Sequence, residues 1–413
     1  MKVCLLLHQG NMYSGGQGVY LHHITRELVD LGHEVHVIAG PPYPEVVEGV
    51  QVHKVESYNV YRLLETGRFF FFGRDPRSFF HPLNWYELAT SRAGMFSVMA
   101  AFSFRAYRKL CELADRHRFD VVHDVQGLGY GILLIKANGI PVVANIHHPL
   151  QVDRANVVRQ APTLGEKIKW VRFYPFFMQE IVARRLDRII TGSQNSAESV
   201  MKAFSLRPEQ VAVIYDGVDT DAFQPQEAPR TPGSLLYVGN SDDRNKGARY
   251  LLEALALLKH RDDLHLTVVD RLVAYVVPTL VRELGLEGRV TLTGRLSRDE
   301  LVRCYNQTQL FVSPSLYEGF GLPAAEAMAC GAPVLATTAG AYPEVIEDGV
   351  SGLLVPPGDA RALADGIERI LGDTELQRRL GRAGRERIAD HFSWRQTALR
   401  TVELYDEVRA ARR

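Results

Sequence analysis

The feature that most constrains this chain is an alternation of short apolar runs with longer amphipathic stretches, repeated through all 413 residues. Short apolar runs are typical of strands covered on both faces, and amphipathic stretches are typical of the helices that cover them. The pattern therefore predicts an α/β fold of parallel strands and crossover helices. The predicted strands of the first half are Val3–Leu7, Val35–Ala39, Val121–His123, Val142–Ile146 and Arg188–Thr191. Those of the second half are Leu235–Val238, Leu264–Val269, Val290–Thr293, Leu310–Val312, Pro333–Ala336 and Leu353–Val355.

A proline-rich segment divides the two series of strands. Thr220–Gly233 contains three prolines and few apolar residues, a composition typical of a linker. We therefore predict two doubly wound, Rossmann-like domains, covering residues 1–217 and 218–390, that face each other across a cleft. In such folds the loops at the carboxyl ends of the strands bind the ligands. Functional motifs are therefore expected directly after strands.

Composition and charge exclude several classes of protein. Lys plus Arg and Asp plus Glu both number 48, so the formal net charge is zero and no global field attracts the chain to nucleic acid. The four cysteines include no CxxC pair, which argues against a disulfide framework or a zinc ribbon. No apolar run approaches the roughly 20 residues of a membrane span, and the amino terminus lacks the apolar core of a signal peptide. We expect a cytoplasmic protein.

The most informative segment is Ser313–Pro333, which reads SPSLYEGFGLPAAEAMACGAP. It follows a predicted strand, passes through glycines and enters a helix at Pro323, a residue suited to the first helical turn. Unpaired backbone N–H groups at such a start favour an anion, so the segment predicts a phosphate or diphosphate site. Glu318 and Glu326 flank this site. Because carboxylates repel phosphates, we interpret them as hydrogen-bond acceptors for hydroxyls, one on a sugar and one on a ribose.

Several phrases, spread over most of the chain, carry a family resemblance. They are EGFGLPAAEAMACGAPVLAT, AGAYPEVIEDGVSGLLVPPGD, GGQGVYLHHITRELVDLGHEV, DRIITGSQNSAESV and VAVIYDGVDTDAF. Together they resemble the family 4 retaining glycosyltransferases, which have the GT-B fold. The resemblance implies that Glu318 holds hydroxyls of the donor sugar and that Glu326 holds the ribose. It also implies that the N–H groups around Phe320, Gly321 and Leu322 hold the sugar or the diphosphate.

The loop after the first strand of the second half carries two cations, Arg244 and Lys246. Cations there can neutralise the charge that develops on a departing nucleotide diphosphate, which contributes roughly 3 kcal/mol per contact. The family usually has a donor-site arginine directly after a Val-Gly pair. In this sequence the pair is Val238 and Gly239, and the next residue is Asn240. We expect Arg244 to reach the same phosphate from four residues further on. Asp270 and Arg271 replace the family's Gly-x-Gly turn, so uracil, guanine and adenine all stay open as the base.

Two loops of the first half complete the predicted site. Gly15 and Gly16 allow close backbone approach, and the resemblance implies that their loop lies beside the donor phosphate and the acceptor. The run is not G-x-G-x-x-G, and no acid follows the second strand, which argues against a nicotinamide enzyme. His147 follows a strand and resembles the family's acceptor-side histidine, although a structural role stays open. Asp219 and Asp221 form an Asp-x-Asp in the connection between the halves, which we interpret as a turn, and no metal site is predicted.

These observations predict a retaining, metal-independent glycosyltransferase that moves a sugar from a nucleotide-diphosphate sugar to a sugar, lipid or small-molecule acceptor, with no further cofactor. No carboxylate is placed for double displacement, so the resemblance implies that the leaving phosphate deprotonates the acceptor. A nucleotide-sugar binding or scaffold protein without turnover and a sugar-nucleotide epimerase stay open as alternatives. The resemblance also implies that the carboxyl-terminal helix, within 391–413, packs back on the first domain. The basic, aromatic-rich segment 154–188 is either a solvated helix that packs its apolar face inward or a contact with an anionic membrane.

Overall fold

The computed structural model describes residues 1–10, 17–56, 81–147, 150, 151, 154, 158, 161, 163–173, 177–270 and 275–412. The chain divides into two units, and each has its own parallel sheet and apolar core. The first unit comprises residues 1–192, 196–214 and 398–413, and the second comprises residues 193–195 and 215–397. The prediction of an α/β fold with two Rossmann-like sheets is confirmed.

The sheet of the first unit contains seven strands. They are β1 (Lys2–Leu7), β2 (Glu34–Ala39), β3 (Val50–Lys54), β4 (Val121–Val125), β5 (Val142–Asn145), β6 (Arg188–Thr191) and β7 (Val211–Val213). All are parallel and lie in the order β3-β2-β1-β4-β5-β6-β7. Strands β4 and β5 are buried along their whole length, as expected for strands covered on both faces.

The sheet of the second unit contains six strands. They are β8 (Ser234–Val238), β9 (His265–Val269), β10 (Val290–Leu292), β11 (Leu310–Ser313), β12 (Val334–Thr337) and β13 (Leu353–Val355). All are parallel, in the order β10-β9-β8-β11-β12-β13. The chain order reverses beside β8, so the loops after β8 and β11 lie at a topological switch point, where doubly wound folds bind ligands.

Helices connect the strands. Those of the first half are α1 (Gln17–Asp30), α2 (Pro82–Arg92), α3 (Val98–Ala114), α4 (Gly131–Ala137), α5 (Leu164–Phe173), α6 (Met178–Ala183) and α7 (Gln194–Phe204). Those of the second half are α8 (Ala248–Leu257), α9 (Val276–Glu283), α10 (Arg298–Gln307), α11 (Leu322–Ala329), α12 (Tyr342–Val345), α13 (Ala360–Leu371), α14 (Thr374–His391) and α15 (Trp394–Ala410). Among the described residues, none of the helices combines the length and the apolar character needed to cross a membrane.

All eleven predicted strands are present, with ends that differ by at most two residues. The prediction missed β3 and β7, which form the two edges of the first sheet. Strand β3 is half-buried or exposed throughout, and β7 has only three residues, none of them fully buried. Edge strands bury less apolar surface than central ones, so their sequences carry a weaker apolar signal.

The proline-rich segment Thr220–Gly233 is not a free linker. Its Arg230 donates hydrogen bonds to the carbonyl oxygens of Tyr305, Thr308 and Gly331, at 3.2, 2.7 and 2.8 Å. The whole segment therefore belongs to the second unit. The interpretation as a linker was wrong because arginine and backbone hydrogen bonds can hold a segment that lacks apolar residues.

Helix α15 ends in the first unit, to which residues 398–413 belong. Tyr405 is fully buried there, and its hydroxyl shares a hydrogen bond with Nδ1 of His123. Arg409 donates to Asp120 at 2.9 Å. The part of α15 from residue 398 onward therefore packs in the first unit, where Tyr405 contacts β4.

Candidate functional site

The segment Ser313–Pro333 forms the end of β11, a loop and helix α11. Gly321 precedes the helix with a φ of +94°, and a Cβ there would lie 2.4 Å from the Tyr342 ring. Only glycine fits this position, both because of the left-handed backbone and because of the close ring. Gly321 has no side chain to cap the helix, so the N–H groups of Leu322 and Ala324 in the first turn have no side-chain cap, whereas Pro323 has no N–H. Phe320 is buried and anchors the loop on Phe392, with ring centroids 5.7 Å apart.

An ion pair joins this loop to the loop after β8. The Nζ atom of Lys246 lies 2.8 Å from Oε2 and 3.1 Å from Oε1 of Glu318. The side chain of Lys246 is 32% exposed and that of Glu318 is 12% exposed. Strands β8 and β11 are neighbours in the sheet, which brings together two residues 72 positions apart. Lys246 and Glu318, both predicted site residues, are therefore adjacent.

Backbone packing fixes the two loops against each other. The N–H of Leu316 donates to the carbonyl oxygen of Asn245 at 2.7 Å. Gly247 has a φ of +66°, and a Cβ there would overlap the carbonyl oxygen of Pro314 at 2.0 Å. A side chain at position 247 would push the loops apart and would separate the ion pair.

A third loop, after β12, holds the backbone of Glu318. A Cβ on Gly340 would lie 1.9 Å from the Glu318 carbonyl oxygen, which accepts a hydrogen bond from the N–H of Ala341 at 3.0 Å. The hydroxyl of Thr337 donates to the carbonyl oxygen of Ser315 at 2.6 Å. The sequence analysis did not single out Gly340 or Thr337. Thr337 directly follows the predicted strand Pro333–Ala336, and Gly340 lies in the loop after it, which is the signal that could have identified them.

Glu326 lies on helix α11. Its Oε2 accepts a hydrogen bond of 2.9 Å from the hydroxyl of Tyr305, a fully buried residue of helix α10 that the sequence analysis did not identify. Desolvation raises the pKa of Glu326 to about 7, and the Tyr305 hydrogen bond opposes this shift. The carboxyl group therefore changes charge near neutral pH.

Arg244 and Lys246 share one 3-10 turn, in which Arg244 is exposed. The turn begins at Asp243, whose side chain accepts a hydrogen bond from the N–H of Asn245. Asn240 lies before this turn and is exposed, and its Oδ1 accepts from the N–H of Asp242 at 3.2 Å. The arrangement leaves the Arg244 guanidinium on the same loop as Lys246.

The carboxylate of Asp270 contacts Ser241, which gives this residue a structural role. It is 6% exposed, and its Oδ2 accepts hydrogen bonds from both the backbone N–H, at 2.7 Å, and the hydroxyl of Ser241. The carboxylate therefore holds the loop that carries Asn240. Arg271, the second departure from the family pattern, lies outside the described residues.

Two histidines, one half-buried and one fully buried, lie near the carboxyl edge of the first sheet. His147 follows β5, and its ring centroid lies 5.4 Å from that of Tyr20 on helix α1. His123 of β4 is fully buried and bonds Asn145 through Nε2 as well as Tyr405 through Nδ1. Desolvation lowers the pKa of His123 to about 4, so its ring is neutral at pH 7. Gly15 and Gly16, predicted to line this edge, lie outside the described residues.

The loop after β4 is strained. Gln126 and Leu128 have φ values of +60° and +46°, in the left-handed region that non-glycine residues rarely adopt. Asp124 holds the loop by accepting the N–H of Leu128 at 2.7 Å. Burial raises the pKa of Asp124 to about 7. The sequence analysis did not single out these residues, which lie at the end of a buried strand or directly after it.

The Asp-x-Asp in the connection has turn chemistry. Oδ1 of Asp219 accepts the N–H of Ala222 at 3.3 Å, and its Oδ2 pairs with Arg298. Both oxygens therefore have protein partners, as expected for a turn residue.

Comparisons with known families and proteins agree over the full length. A family model described as Glycosyltransferase Family 4 matches residues 14–222, and one described as Glycosyl transferases group 1 matches residues 218–387. The chain is 38% identical to an MMP alpha-(1->4)-mannosyltransferase of Mycolicibacterium hassiacum, with 98% of both proteins covered. It is 27% identical to a D-inositol 3-phosphate glycosyltransferase of Thermobispora bispora, with 95% of this chain and 90% of the relative covered.

Solved structures resemble the fold. Sucrose-phosphate synthase of Thermosynechococcus elongatus matches with a TM-score of 0.75 and 24% identity, and both chains are fully covered. HepE of Anabaena, solved in complex with UDP and glucose, matches with a TM-score of 0.69 and 19% identity over 98% of this chain and 100% of that one. At these identities the likeness concerns the fold alone.

Proposed function

Because this chain belongs to glycosyltransferase family 4, we propose that it transfers a hexosyl group from a nucleotide-diphosphate sugar with retention of anomeric configuration and without a metal ion. The observation that carries the proposal is the contact of Lys246 with Glu318 beside the start of helix α11. A cation, a hydroxyl acceptor and backbone N–H groups at the start of a helix are the parts that an activated sugar requires.

In the proposed donor complex, Lys246 turns from Glu318 to the diphosphate, and Glu318 accepts hydrogen bonds from sugar hydroxyls. Each charge neutralises the other before the donor binds, so neither carries an unpaired charge in the ligand-free protein. The N–H groups of Phe320, Gly321 and Leu322 bind the sugar or the diphosphate, and Glu326 accepts the ribose hydroxyls. Arg244 and Asn240, on the same loop as Lys246, complete the phosphate side.

The proposed reaction separates charge along the bond between the anomeric carbon and the diphosphate oxygen. As this bond lengthens, positive charge grows on the sugar ring and negative charge grows on the diphosphate. Lys246, Arg244 and the helical N–H groups stabilise the diphosphate, and the leaving phosphate accepts the proton of the attacking acceptor hydroxyl. The acceptor attacks from the face that the leaving group vacates, so the configuration is retained.

Mannose is the first candidate for the transferred sugar, since the 38% identical relative is a mannosyltransferase by name. The relatives named D-inositol 3-phosphate glycosyltransferases are more distant, at 26–28% identity. We propose that His147 and the loop of Gly15 and Gly16 bind a hydroxylated acceptor. An imidazole nitrogen and backbone N–H and C=O groups can form hydrogen bonds with hydroxyls.

The proposal is tested with Glu318→Gln, which keeps the shape of the side chain and removes its charge. We expect the folded variant to transfer mannose from a nucleotide-diphosphate mannose at least tenfold more slowly than the wild type. An amide is a weaker acceptor for sugar hydroxyls than a carboxylate. The matched control is Glu253→Gln, which alters a half-buried residue paired with Arg249 on helix α8. Undiminished turnover of Glu318→Gln would refute the role given to this residue.

The same assay separates the proposal from its alternatives. Transfer in the presence of EDTA supports metal independence, and an α-linked product identified by NMR supports retention. Saturable donor binding without nucleotide release would instead indicate a binding protein. A changed sugar without any acceptor would indicate an epimerase.

We also propose that helix α5 contacts the inner face of an anionic membrane, where a lipid acceptor would be available. No residue of this helix is buried. Leu164 and Ile168 are 73% and 58% exposed on one face, and Lys167, Lys169 and Arg172 supply positive charge. An exposed apolar face flanked by cations suits an anionic lipid surface.

The membrane contact is tested by flotation with vesicles that contain or lack anionic lipid. We expect co-flotation with anionic vesicles only, and its loss in the variant Ile168→Glu. Leu257→Glu, an exposed apolar residue of the second unit, is the control. Absence of wild-type protein from the floated fraction would refute the contact.

A further inference from the structure

A cluster of histidines lies at the amino ends of the first sheet's strands, the edge opposite to the one that carries His123 and His147. Glu34 begins β2, His36 is the third residue of the same strand, and His117 precedes β4. Strands β2 and β4 flank β1 on its two sides. The cluster therefore connects both neighbours of the central strand, and the proposed transfer reaction uses none of its residues.

The cluster has the dimensions of a metal site. Oε1 of Glu34 lies 3.0 Å from Nε2 of His36 and 3.6 Å from Nδ1 of His117. One ligand atom from each of the three residues lies within 4.8 Å of the others. Ligand atoms bound at zinc's usual distances are about 3.3 Å apart in a tetrahedron, so only small side-chain shifts separate this arrangement from coordination.

We propose that Glu34, His36 and His117 bind one zinc ion, with water as the fourth ligand. Two imidazoles and one carboxylate form a donor set that zinc prefers, whereas magnesium and calcium prefer oxygen ligands alone. The ion would link the start of β2 to the segment before β4, and its expected effect is to stabilise the first unit.

A second histidine orients the proposed ligand His36. The His36 side chain is fully buried, and its Nδ1 lies 2.9 Å from Nε2 of His53 on the neighbouring strand β3. Coordination through Nε2 requires the His36 proton to lie on Nδ1, from which it can be donated to His53. Metal-bound histidines generally donate their second nitrogen in this way, which fixes the ring and its tautomer.

Lys2 is the competitor of the proposed ion. Its Nζ lies 2.9 Å from Oε1 of Glu34 and 3.4 Å from Nδ1 of His117. The ammonium thus contacts two of the three ligand atoms, and the ion would displace it. The Lys2 side chain is 24% exposed, so it has access to solvent when it leaves. Removing this charge is expected to tighten zinc binding.

The test uses the full chain after treatment with EDTA and desalting. We expect calorimetric titration with Zn²⁺ to give one site per chain, and Co²⁺ to give the visible absorption of a tetrahedral complex. Zn²⁺, but not Mg²⁺, should raise the melting temperature. The variants Glu34→Gln and His117→Ala should weaken zinc binding at least about tenfold, and Lys2→Met should strengthen it.

The control variant is His260→Ala, which alters an exposed histidine paired with Glu368, and its zinc affinity should equal that of the wild type. Melting curves in EDTA establish that each variant is folded before it is titrated. Zinc affinity that is unchanged in folded His117→Ala, or a wild-type titration without saturation, would overturn the proposal. Neither result depends on transfer activity.

Discussion

The carboxyl edges of the two sheets carry different kinds of polar group. In the second unit, Lys246 and Glu318 form a partly exposed ion pair on two loops. In the first unit, His123 is a neutral, fully buried ring held by Asn145 and Tyr405. An ion pair can exchange its partners for those of a charged ligand, whereas a buried neutral network keeps its partners and fixes the surrounding backbone. The comparison indicates that the carboxyl edge of the second sheet offers charged groups to a ligand, whereas that of the first sheet keeps a fixed backbone shape.

The first prediction tests whether the charged pair acts on ligand rather than on stability. We expect Lys246→Met to lower kcat/KM for the donor about 100-fold, because the developing charge on the diphosphate loses its cation. The free energy of unfolding should fall by no more than about 2 kcal/mol, since Lys246 is partly exposed and solvent screens the pair, although Glu318 loses its partner. Steady-state kinetics and urea denaturation measure the two effects.

Lys202→Met, which removes an exposed lysine of helix α7, is the control and should have wild-type kinetics. If Lys246→Met kept its activity and lost stability instead, the ion pair would be structural and the comparison between the two edges would fail.

The second prediction uses the titration of Glu326, whose pKa desolvation raises to about 7. Only the carboxylate form accepts two ribose hydroxyls, so protonation at lower pH removes the proposed interaction. We expect the dissociation constant of the donor sugar nucleotide to rise about tenfold between pH 8 and pH 6. Calorimetry with the intact sugar nucleotide measures this, because its diphosphate diester does not titrate in that range.

Glu326→Gln cannot titrate, so its donor affinity should be independent of pH over the same interval. A wild-type affinity that is equally flat would show that the ribose does not bind the Glu326 carboxylate. The stability of the ligand-free protein follows the opposite sign, because a raised carboxyl pKa favours folding at low pH and loses that contribution as the pH rises towards 7.

The sequence predicted central elements well and tertiary partners poorly. Strands such as β11 and β12 are nearly continuous apolar runs because both their faces are covered, so their signal is local. The edge strands β3 and β7 were missed because exposure on one side weakens that signal. The loop of Glu318 was found because its glycines and Pro323 mark a helix start within a short stretch of sequence.

Partners that come from distant parts of the chain could not be predicted in the same way. Tyr305 reaches Glu326 from a neighbouring helix, and Tyr405 reaches His123 across 282 positions. In the sequence, Asp270 stands where the family has a glycine of its Gly-x-Gly turn. In the structure, its carboxylate accepts a hydrogen bond from the N–H of Ser241. Each of these contacts depends on strand order and helix packing, which no local pattern specifies.

The third and smallest effect concerns the buried network of the first unit. Tyr405→Phe removes the hydroxyl that bonds Nδ1 of His123 and keeps the aromatic packing. We expect the free energy of unfolding to fall by about 1 kcal/mol, because a buried ring nitrogen loses its partner. Urea denaturation measures the change, and kcat/KM for the donor should stay at the wild-type value.

The control for this variant is Tyr275→Phe, since the Tyr275 side chain is 81% exposed and its hydroxyl can bond water in either state. The two substitutions remove the same atom, so their difference isolates burial from chemistry. Equal stabilities would mean that the hydroxyl of Tyr405 does not hold the first edge. If only Tyr405→Phe loses stability and its donor kinetics stay unchanged, the buried network of the first unit has a structural role. The charged residues of the second unit would then be the ones that act on the donor.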